Sequence, residues 1–396
     1  MLVAQIVSFG FGRRCASVRT YENVGNSARD LGAAEALCLS SIPDADEFTR
    51  LVRSLAPSLI IMPPVSPYSH LAFSIWCSGI AVAAMERPER LAEGELIIVD
   101  FDSAQISTGG SECAEDSDNE PGVALGPANS SNLQFNKRIP RLYSEITSLA
   151  DGEQALRDGA YGISIIKIEQ LARDPTNEFV KGLISLSQRF EVPSQLKIRF
   201  YDDEDGLLNP FSSGFEPGRG LGLRGVRALS DLALQTRFAG QLNTLRELPI
   251  TIVLPMVSTV DEARSARNTI ATMSSAWSIG ATIETPSAAL LIEELIDELT
   301  FVELGLNDLS QYTLGWDRNV VNPELLPHDR VAPAVAKLVK SVFERCKVAG
   351  IECMLGLDLR PDLELAKQLA SLGVDAVSCA PPLIRRWQKA WPAPSA

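Results

Sequence analysis

The feature that most constrains the fold is a series of eight short apolar runs between residues 141 and 380. They are RLYSEI (141–146), GISIIKI (162–168), LKIRFY (196–201), ITIVLPM (250–256), SIGATIE (278–284), TFVELG (300–305), IECMLG (351–356) and DAVSCA (375–380). Each run reads as a buried strand, and helical patterns such as VAPAVAKLVKSVFERCKVAG lie between them. Alternating strands and helices favour a parallel sheet, and eight such units over about 250 residues match a (β/α)₈ barrel. The predicted fold class is α/β, with a TIM barrel over residues 141–396.

A polar segment separates this predicted barrel from the residues before it. Residues 107–132 read STGGSECAEDSDNEPGVALGPANSSN, which is rich in Gly, Ser, Asn and acidic residues and nearly empty of large apolar side chains. This composition is typical of a flexible linker, which we predict over residues 107–140. Before it, LIIM (59–62) and ELIIVDFD (95–102) read as buried strands with helical patterns between strands. We therefore predict a small α/β domain over residues 1–106.

The charge balance excludes some classes of partner. The chain has 36 Lys and Arg residues against 50 Asp and Glu residues, a net charge of −14. No surplus of cations is available to neutralise nucleic acid phosphates or an anionic membrane. No apolar run is long enough for a membrane span, and the amino-terminal apolar run precedes its basic residues, the reverse of a signal peptide. We expect a cytoplasmic protein with a small-molecule ligand.

Cysteine and histidine indicate neither disulfides nor a zinc site. The seven cysteines are scattered without CxxC spacing, and the two histidines are His70 and His328. An odd, scattered set of cysteines predicts free thiols, and two histidines are too few for a histidine-rich metal site.

Polar residues follow the carboxyl ends of several predicted strands, where barrel enzymes build their active sites. They are Lys167, Glu169, Arg199, Asp202, Glu284, Asn307 and Asp308, with Arg224 and Arg318 in loops predicted on the same side. Carboxylates such as Glu284 and Asp308 suit Mg²⁺, and arginine forks suit phosphate or carboxylate groups. For any one of these residues, an ordinary salt bridge at the barrel rim is the alternative interpretation.

Four motifs carry a resemblance to a known family. GLGLRGVR (220–227), LPMVSTVDE (254–262), IETPSAA (283–289) and GLNDLSQYTLGWDRN (305–319) occur in this order. Together they resemble the barrel of the phosphoenolpyruvate-utilising enzymes: the first enzyme of the bacterial sugar phosphotransferase system, phosphoenolpyruvate synthase and pyruvate phosphate dikinase. The resemblance implies Mg²⁺ binding by Glu284 and Asp308. It also implies substrate binding by Lys167, Arg199, Arg224, Asn307 and Arg318, of which the three arginines would grip the phosphate during catalysis.

The amino-terminal domain resembles the swivelling phosphohistidine domain of the same family. The similar stretch begins at VSPYSH and ends at the strand LIIVDFD. The resemblance places His70 at the phosphorylated position, so that His70 would carry the phosphoryl group between two half-reactions. The structural alternative for a single histidine is an ordinary buried or loop role.

Several positions depart from the family pattern. Two glycines and a threonine before the family's Ser-His become Val65, Ser66 and Tyr68, an arginine on the following helix becomes Trp76, and an arginine of the second strand becomes Lys167. Those glycines would allow close approach of the backbone to phosphate. A lysine keeps the charge of an arginine but loses its planar fork.

The family's proton-donating cysteine is also missing. Counting back from SLGVDAVS places its position at Gly356. Cys353 lies three residues earlier, so it is predicted on the opposite face of the strand. Cys379 on the eighth strand is the other candidate donor, and water or a different substrate are further possibilities.

Three functions remain open at this stage. The first is an Mg²⁺-dependent phosphotransferase that acts on phosphoenolpyruvate or a related phospho-enol or 2-oxo acid and transfers phosphoryl through His70 to an unknown acceptor. The second is a carbon–carbon lyase or aldolase that uses the barrel alone to hold an enolate on Mg²⁺. The third is a non-catalytic descendant that binds a metabolite. The resemblance further suggests a homodimer through the barrel. Residues 1–110 leave no room for the family's phosphocarrier-docking subdomain, so a role in sugar uptake is not expected.

Overall fold

The computed structural model describes residues 2–3, 13–20, 35–43, 48, 51–52, 54–55, 57–63, 75, 80–85, 87–92, 94–100, 105–108, 140–168, 178–190, 196–202, 221–222, 224–316, 331–357, 359 and 361–391. These residues divide into two compact units, one within residues 2–108 and one within residues 140–391. The domain boundaries predicted above, at 106 and 141, stay a prediction.

The amino-terminal unit contains a mixed seven-stranded sheet. Its strands are β1 (Leu2–Val3), β2 (Arg13–Thr20), β3 (Glu35–Cys38), β4 (Leu59–Met62), β5 (Ala81–Ala84), β6 (Leu96–Asp100) and β7 (Gln105–Thr108). Their order across the sheet is β1-β7-β6-β2-β3-β4-β5. Strands β2 to β5 are parallel, whereas β6, β7 and β1 add antiparallel pairs at one side. Both LIIM and the core of ELIIVDFD form strands of this sheet.

The second unit is a nearly closed parallel barrel. Its strands are β8 (Arg141–Ser144), β9 (Gly162–Ile163), β10 (Ile165–Lys167), β11 (Lys197–Arg199), β12 (Thr251–Leu254), β13 (Ser278–Ile283), β14 (Phe301–Gly305), β15 (Glu352–Gly356) and β16 (Ala376–Cys379). Only Ser164 separates β9 from β10, so these segments are two halves of one barrel strand. The first half pairs with β8 and the second with β11. The predicted α/β class and eight-stranded TIM barrel are confirmed.

Helices follow the barrel strands along the chain. The described α-helices are α1 (Leu149–Arg157), α2 (Glu178–Ser187), α3 (Leu232–Gln241), α4 (Val260–Met273), α5 (Pro286–Leu290), α6 (Ile292–Leu295), α7 (Leu306–Leu314), α8 (Pro333–Ala349), α9 (Leu363–Ser371) and α10 (Ile384–Ala390). Helix α8 buries a stripe that includes Val335, Val339 and Val342, and it ends at Gly350 in the left-handed conformation. The helical spacing of its apolar residues thus packs one face of α8 inward. None of the helices in the described ranges has the length and apolar character needed to cross a bilayer.

Apolar and aromatic side chains fill the barrel interior. Six strands contribute one residue each to a buried cluster: Tyr143, Ile165, Val253, Phe301, Met354 and Ala376. Residues two positions away on the same strand share this interior face, because strand side chains alternate between faces. This part of the interior is therefore a packed core, and the polar candidates described below cluster toward the carboxyl ends of the strands.

A buried lysine closes the amino end of this core. Lys197, the first residue of β11, places Nζ 3.2 Å from Glu352 Oε2 and 4.9 Å from the centre of the Phe301 ring. The Tyr143 hydroxyl donates to Glu352 Oε1 at 2.7 Å. A buried charge is tolerated when it is paired and hydrogen-bonded in this way. The carboxylate and the aromatic ring together stabilise the positive charge of Lys197 at the amino end of the barrel.

Close packing at Gly280 gives a stability prediction. A Cβ at Gly280 would lie 2.8 Å from the Phe301 carbonyl oxygen and 2.9 Å from Phe301 Cδ1. We expect Gly280→Ala to lower the free energy of unfolding by about 1–3 kcal/mol, because the added methyl overpacks the interior. Urea unfolding followed by tryptophan fluorescence measures the change.

The matched control is Gly240→Ala in helix α3, where a Cβ would meet nothing within 4 Å. This substitution should be neutral or stabilising by up to about 1 kcal/mol, because alanine has the higher helix propensity. Equal unfolding midpoints for the two variants would contradict the packing described for the barrel interior.

Candidate active site

Glu284 follows β13 directly and is held at the carboxyl end of the barrel. Its residue is 3% exposed, and the backbone N–H of Met256 donates to Oε1 at 2.7 Å. Met256 follows the end of β12 and has a φ of 61°. A bulky residue rarely adopts this left-handed conformation, which is typical of functional sites. The strained turn after β12 therefore aims an amide at Glu284.

Gly305 makes room for the other oxygen of this carboxylate. It is the last residue of β14, next to β13 in the barrel, and a Cβ at this position would lie 2.8 Å from Glu284 Oε2. Any larger residue would displace the carboxylate. The glycine of the GLND motif thus forms a cradle for Glu284.

Asn307 and Asp308 lie in the first turn of helix α7, which begins directly after β14. Asp308 is 5% exposed and Asn307 is half-buried. The backbone N–H groups and the dipole of a helix N-terminus favour a carboxylate at this place. The strand-to-helix junction therefore carries Asp308 to the same end of the barrel as Glu284.

Arg224 is the central cation of the site. Its Nε and Nη2 donate to the two carboxylate oxygens of Asp202, each at 2.8 Å. Its Nη1 donates to the Tyr312 hydroxyl at 3.2 Å, and Nη2 lies 3.7 Å from Asp308 Oδ2. A buried bidentate pair of this kind fixes the plane of the guanidinium. Asp202 and Tyr312 together orient Arg224 toward Asp308.

The next residue explains how the chain brings Arg224 there. Gly225 has a φ of 58°, and a Cβ at this position would lie 2.5 Å from the Pro255 carbonyl oxygen. That same carbonyl accepts a hydrogen bond from Val226 N–H at 2.8 Å. Only glycine combines the positive φ with this close approach. The segment 224–226 thus packs against the turn after β12, the same turn that donates a hydrogen bond to Glu284.

Two further cations lie at the ends of neighbouring strands. Arg199, the last residue of β11, places Nη1 3.8 Å from Asp202 Oδ2. Lys167, the last residue of β10, forms a 2.6 Å ion pair with Glu145, which follows β8. Both side chains are mostly buried. The candidate site therefore extends around several consecutive strands.

The pKa values reflect this crowding of charge. Burial, followed by repulsion from Asp308 and Asp202, raises the pKa of Glu284 to about 8. Burial, followed by Asp308, raises the pKa of Tyr312 to about 12. Burial by itself would lower the pKa of Arg224, but Asp202, Asp308 and Glu284 raise it above its ordinary value. The carboxylates act on one another, so an additional cation would stabilise their charged forms.

The side chains present fit a hard divalent cation such as Mg²⁺. The donors at this end of the barrel are carboxylate oxygens, and Gly305 keeps clear the space beside Glu284 Oε2 that a Cβ would fill. In the part of the chain that the structure describes, no three His, Cys, Asp or Glu side chains form a metal-binding group. Two carboxylates with substrate oxygens and water are the usual Mg²⁺ environment, so the donor set favours Mg²⁺ over a metal that needs a full protein cage.

The two described cysteines on barrel strands, Cys353 and Cys379, point away from this site. Met354 lies in the interior cluster, so Gly356 shares its face and Cys353 lies on the other. Burial, followed by a hydrogen bond with Cys346 of helix α8, raises the pKa of the Cys353 thiol. Ser378, not Cys379, shares the interior face of Ala376. Within the described residues, Cys38, Cys346, Cys353 and Cys379 form no disulfide, as the cysteine pattern predicts.

Some predicted site residues lie outside the described residues. His70 and Arg318 are among them, as are Glu169, His328 and the substituted positions around the Ser-His pair: Val65, Ser66, Tyr68 and Trp76. Their predicted roles stay predictions.

Sequence reasoning named Asp202 as a polar residue at a strand end, but it did not predict the pairing of Asp202 with Arg224, and it missed Tyr312 and Glu145. Asp202 and Tyr312 bind Arg224 from positions 22 and 88 residues away, and Glu145 pairs with Lys167. Glu145 follows a barrel strand as Asp202 does, so the strand-end placement that indicated Asp202 was a usable signal for Glu145 as well. The Met256 amide carries no side-chain signal, and no local pattern links Tyr312 to Arg224.

Comparison with known proteins places this geometry in a family. Residues 136–392, more than half of the chain, match the family model described as PEP-utilising enzyme, PEP-binding domain. The chain is 29% identical over 373 residues to a phosphoenolpyruvate-protein phosphotransferase of Streptomyces coelicolor, a match that covers 86% of this chain and 66% of that protein.

Two archaeal relatives indicate the same family. A probable phosphoenolpyruvate synthase of Archaeoglobus fulgidus is 26% identical over 326 residues, which cover 75% of this chain and 42% of the relative. A phosphoenolpyruvate synthase of Pyrococcus furiosus is 37% identical over 143 residues, which cover 34% of this chain and 17% of the relative. The chain spans less than two thirds of the length of these relatives. On the matched barrel and the motifs it carries, the chain belongs to the family of phosphoenolpyruvate-utilising enzymes.

Proposed function

We propose that this protein is an Mg²⁺-dependent phosphotransferase. Its substrate would be phosphoenolpyruvate or a closely related phospho-enol or 2-oxo acid, and the phosphoryl group would pass through His70 to an acceptor. The observation that carries the proposal is the buried arrangement of Glu284 and Asp308 beside Arg224, whose guanidinium is fixed by Asp202. Names of relatives that include both a phosphotransferase and a synthase support the substrate class.

Each residue of the site has a chemical task in this proposal. Glu284 and Asp308 would hold Mg²⁺, which supplies Lewis-acid polarisation and offsets charge on the substrate oxygens. Arg224 and Arg199 would bind the phosphate or carboxylate of the substrate, with Arg318 and Asn307 as further predicted contacts. Lys167 would contribute a further positive charge at the same end of the barrel. Phosphoryl transfer depends mainly on such positioning and charge compensation, so a pre-formed site is the expected design.

Metal binding is the first test of this proposal. We expect wild-type protein to bind oxalate, an enolate mimic, only with Mg²⁺ present. Asp308→Asn and Glu284→Gln should each weaken that binding by about 10-fold or more, because each removes a metal ligand. Isothermal titration calorimetry with oxalate, with and without Mg²⁺, measures it.

Asp261→Asn on helix α4 is the matched control, because Asp261 is 92% exposed and pairs only with surface groups in the described contacts. It should bind oxalate as the wild type does. Absence of Mg²⁺-dependent binding in the wild type would favour the non-catalytic interpretation instead.

The second test concerns the two parallel hydrogen bonds that the Arg224 guanidinium donates to Asp202. We expect Arg224→Lys to weaken Mg²⁺-dependent oxalate binding by about 10-fold, because a lysine cannot make both 2.8 Å hydrogen bonds to Asp202 and stay oriented toward Asp308. Arg345→Lys on helix α8, which pairs with Glu293 at the surface, is the control. If the two lysine variants bind oxalate equally well, the orienting role of Asp202 is wrong.

Phosphoryl transfer through His70 is the third test. Incubation with phosphoenolpyruvate labelled on phosphorus, with Mg²⁺, should place an acid-labile label on the wild type and on His328→Ala, because N–P bonds of phosphohistidine hydrolyse in acid. His70→Ala should carry none. Equal labelling of the two variants would refute the phosphohistidine step. Turnover that survives His70→Ala but disappears in Asp308→Asn would identify a barrel lyase.

A further inference from the structure

Glu303 is an ionisable side chain in the barrel interior that the proposed metal and phosphate binding does not use. It lies on β14 between Phe301, a member of the interior cluster, and Gly305, the cradle of Glu284. Strand alternation places all three on the interior face. Glu303 is half-buried, one step below the candidate metal ligands.

The Glu303 carboxyl extends to the neighbouring strand, next to the place where a side chain at Gly356 would lie. A Cβ at Gly356 would lie 3.5 Å from Glu303 Oε1 and Cδ, which is ordinary van der Waals contact, and 3.3 Å from the Leu304 carbonyl oxygen, which is a tighter one. Gly356 is paired across the ladder with Gly305, whose own Cβ would touch Glu284 Oε2. Neither of these two paired glycines places a side chain between the Glu303 carboxyl and Glu284. A side chain from either glycine would occupy this space.

Thr282 marks the same pocket as polar. It is the ladder partner of Glu303 on β13, and it is 3% exposed. Its hydroxyl Oγ1 has no hydrogen-bond partner within the described structure. A buried hydroxyl usually has a partner, so Thr282 keeps an unused hydrogen-bonding group beside the ladder position of Glu303, while its methyl group lies next to Gly305. Met354, the partner of Glu303 on β15, contributes an apolar wall.

From these contacts we infer that Glu303 is the catalytic acid that protonates the enolate carbon when the phosphoryl group has left. This inference rests on the proposed function. Loss of phosphoryl from a phospho-enol leaves an enolate, and formation of the 2-oxo acid requires a proton on C3. Among described interior residues, Glu303 has an ionisable group beside the cleared space, whereas Cys353 and Cys379 lie on the outward face.

The step balances without any further reactant. The O–H bond of the Glu303 carboxyl breaks, a C–H bond forms at C3, and the enolate oxygen becomes the carbonyl of pyruvate. Solvent then returns a proton to the Glu303 carboxylate. In reverse, the carboxylate removes a methyl proton from pyruvate. A positioned acid or base contributes about 10²- to 10⁴-fold to such a step.

Exchange of the pyruvate methyl protons with D₂O tests this role. The full-length chain is incubated with pyruvate, Mg²⁺ and a trace of phosphoenolpyruvate, and the methyl signal is followed by NMR. We expect wild-type exchange to fall by about 100-fold in Glu303→Gln, because the amide keeps the shape of the side chain but cannot donate the proton in this way. Mg²⁺-dependent oxalate affinity should stay within about 2-fold of wild type, because no metal ligand changes.

Two variants sharpen the result. Glu293→Gln, the same change on the surface of helix α6, should exchange like the wild type, because Glu293 pairs only with Arg345 in the described contacts. The double variant Glu303→Gln/Gly356→Cys should regain part of the exchange, since it places a thiol in the space that the Glu303 carboxyl adjoins. Such rescue would not follow from a structural role of Glu303.

The outcomes separate this inference from the proposed function. Equal exchange by wild type and Glu303→Gln, or no exchange by a wild type that binds oxalate, overturns the role of Glu303 and leaves the metal site standing. A wild type that does not bind oxalate with Mg²⁺ overturns the proposed function itself.

Discussion

The site depends on one interaction, the buried pairing of Arg224 with Asp202. Three carboxylates and two guanidiniums share the end of the barrel, and most of them are nearly removed from solvent. Without a fixed cation, the repulsion among Asp202, Glu284 and Asp308 would favour protonation or an open site. The two parallel hydrogen bonds between Arg224 and Asp202 supply that cation in one orientation. Breaking such a pair in a buried place typically costs about 3–5 kcal/mol, more than most single surface contacts.

Backbone geometry holds the remaining groups in register with this pair. Met256 and Gly225 both have positive φ values, and both meet at the turn after β12, where Pro255 accepts a hydrogen bond from Val226. The same turn donates an amide to Glu284. Local strain in one short turn therefore positions a metal-ligand candidate and the loop that carries the central arginine.

The sequence patterns predicted the fold more completely than they predicted the side-chain contacts within the site. The eight apolar runs became barrel strands because most of their residues are buried. The strand ends also indicated Glu284, Asp308 and Arg199, since parallel strands bring their carboxyl ends together. The partners of Arg224 could not be predicted, because Asp202 and Tyr312 come from distant segments. The interior carboxyl of Glu303 was missed for a related reason: within the strand TFVELG it reads as an ordinary polar residue.

Lys197 and its partners at the amino end of the barrel restrict where a substrate can enter and a product can leave. Glu352, Tyr143 and the ring of Phe301 surround the ammonium, and packed side chains lie above them. The barrel is thus closed at its amino end and offers no channel through its interior. A substrate would therefore enter, and its product leave, at the carboxyl end of the barrel. Product release must then precede binding of the next substrate molecule.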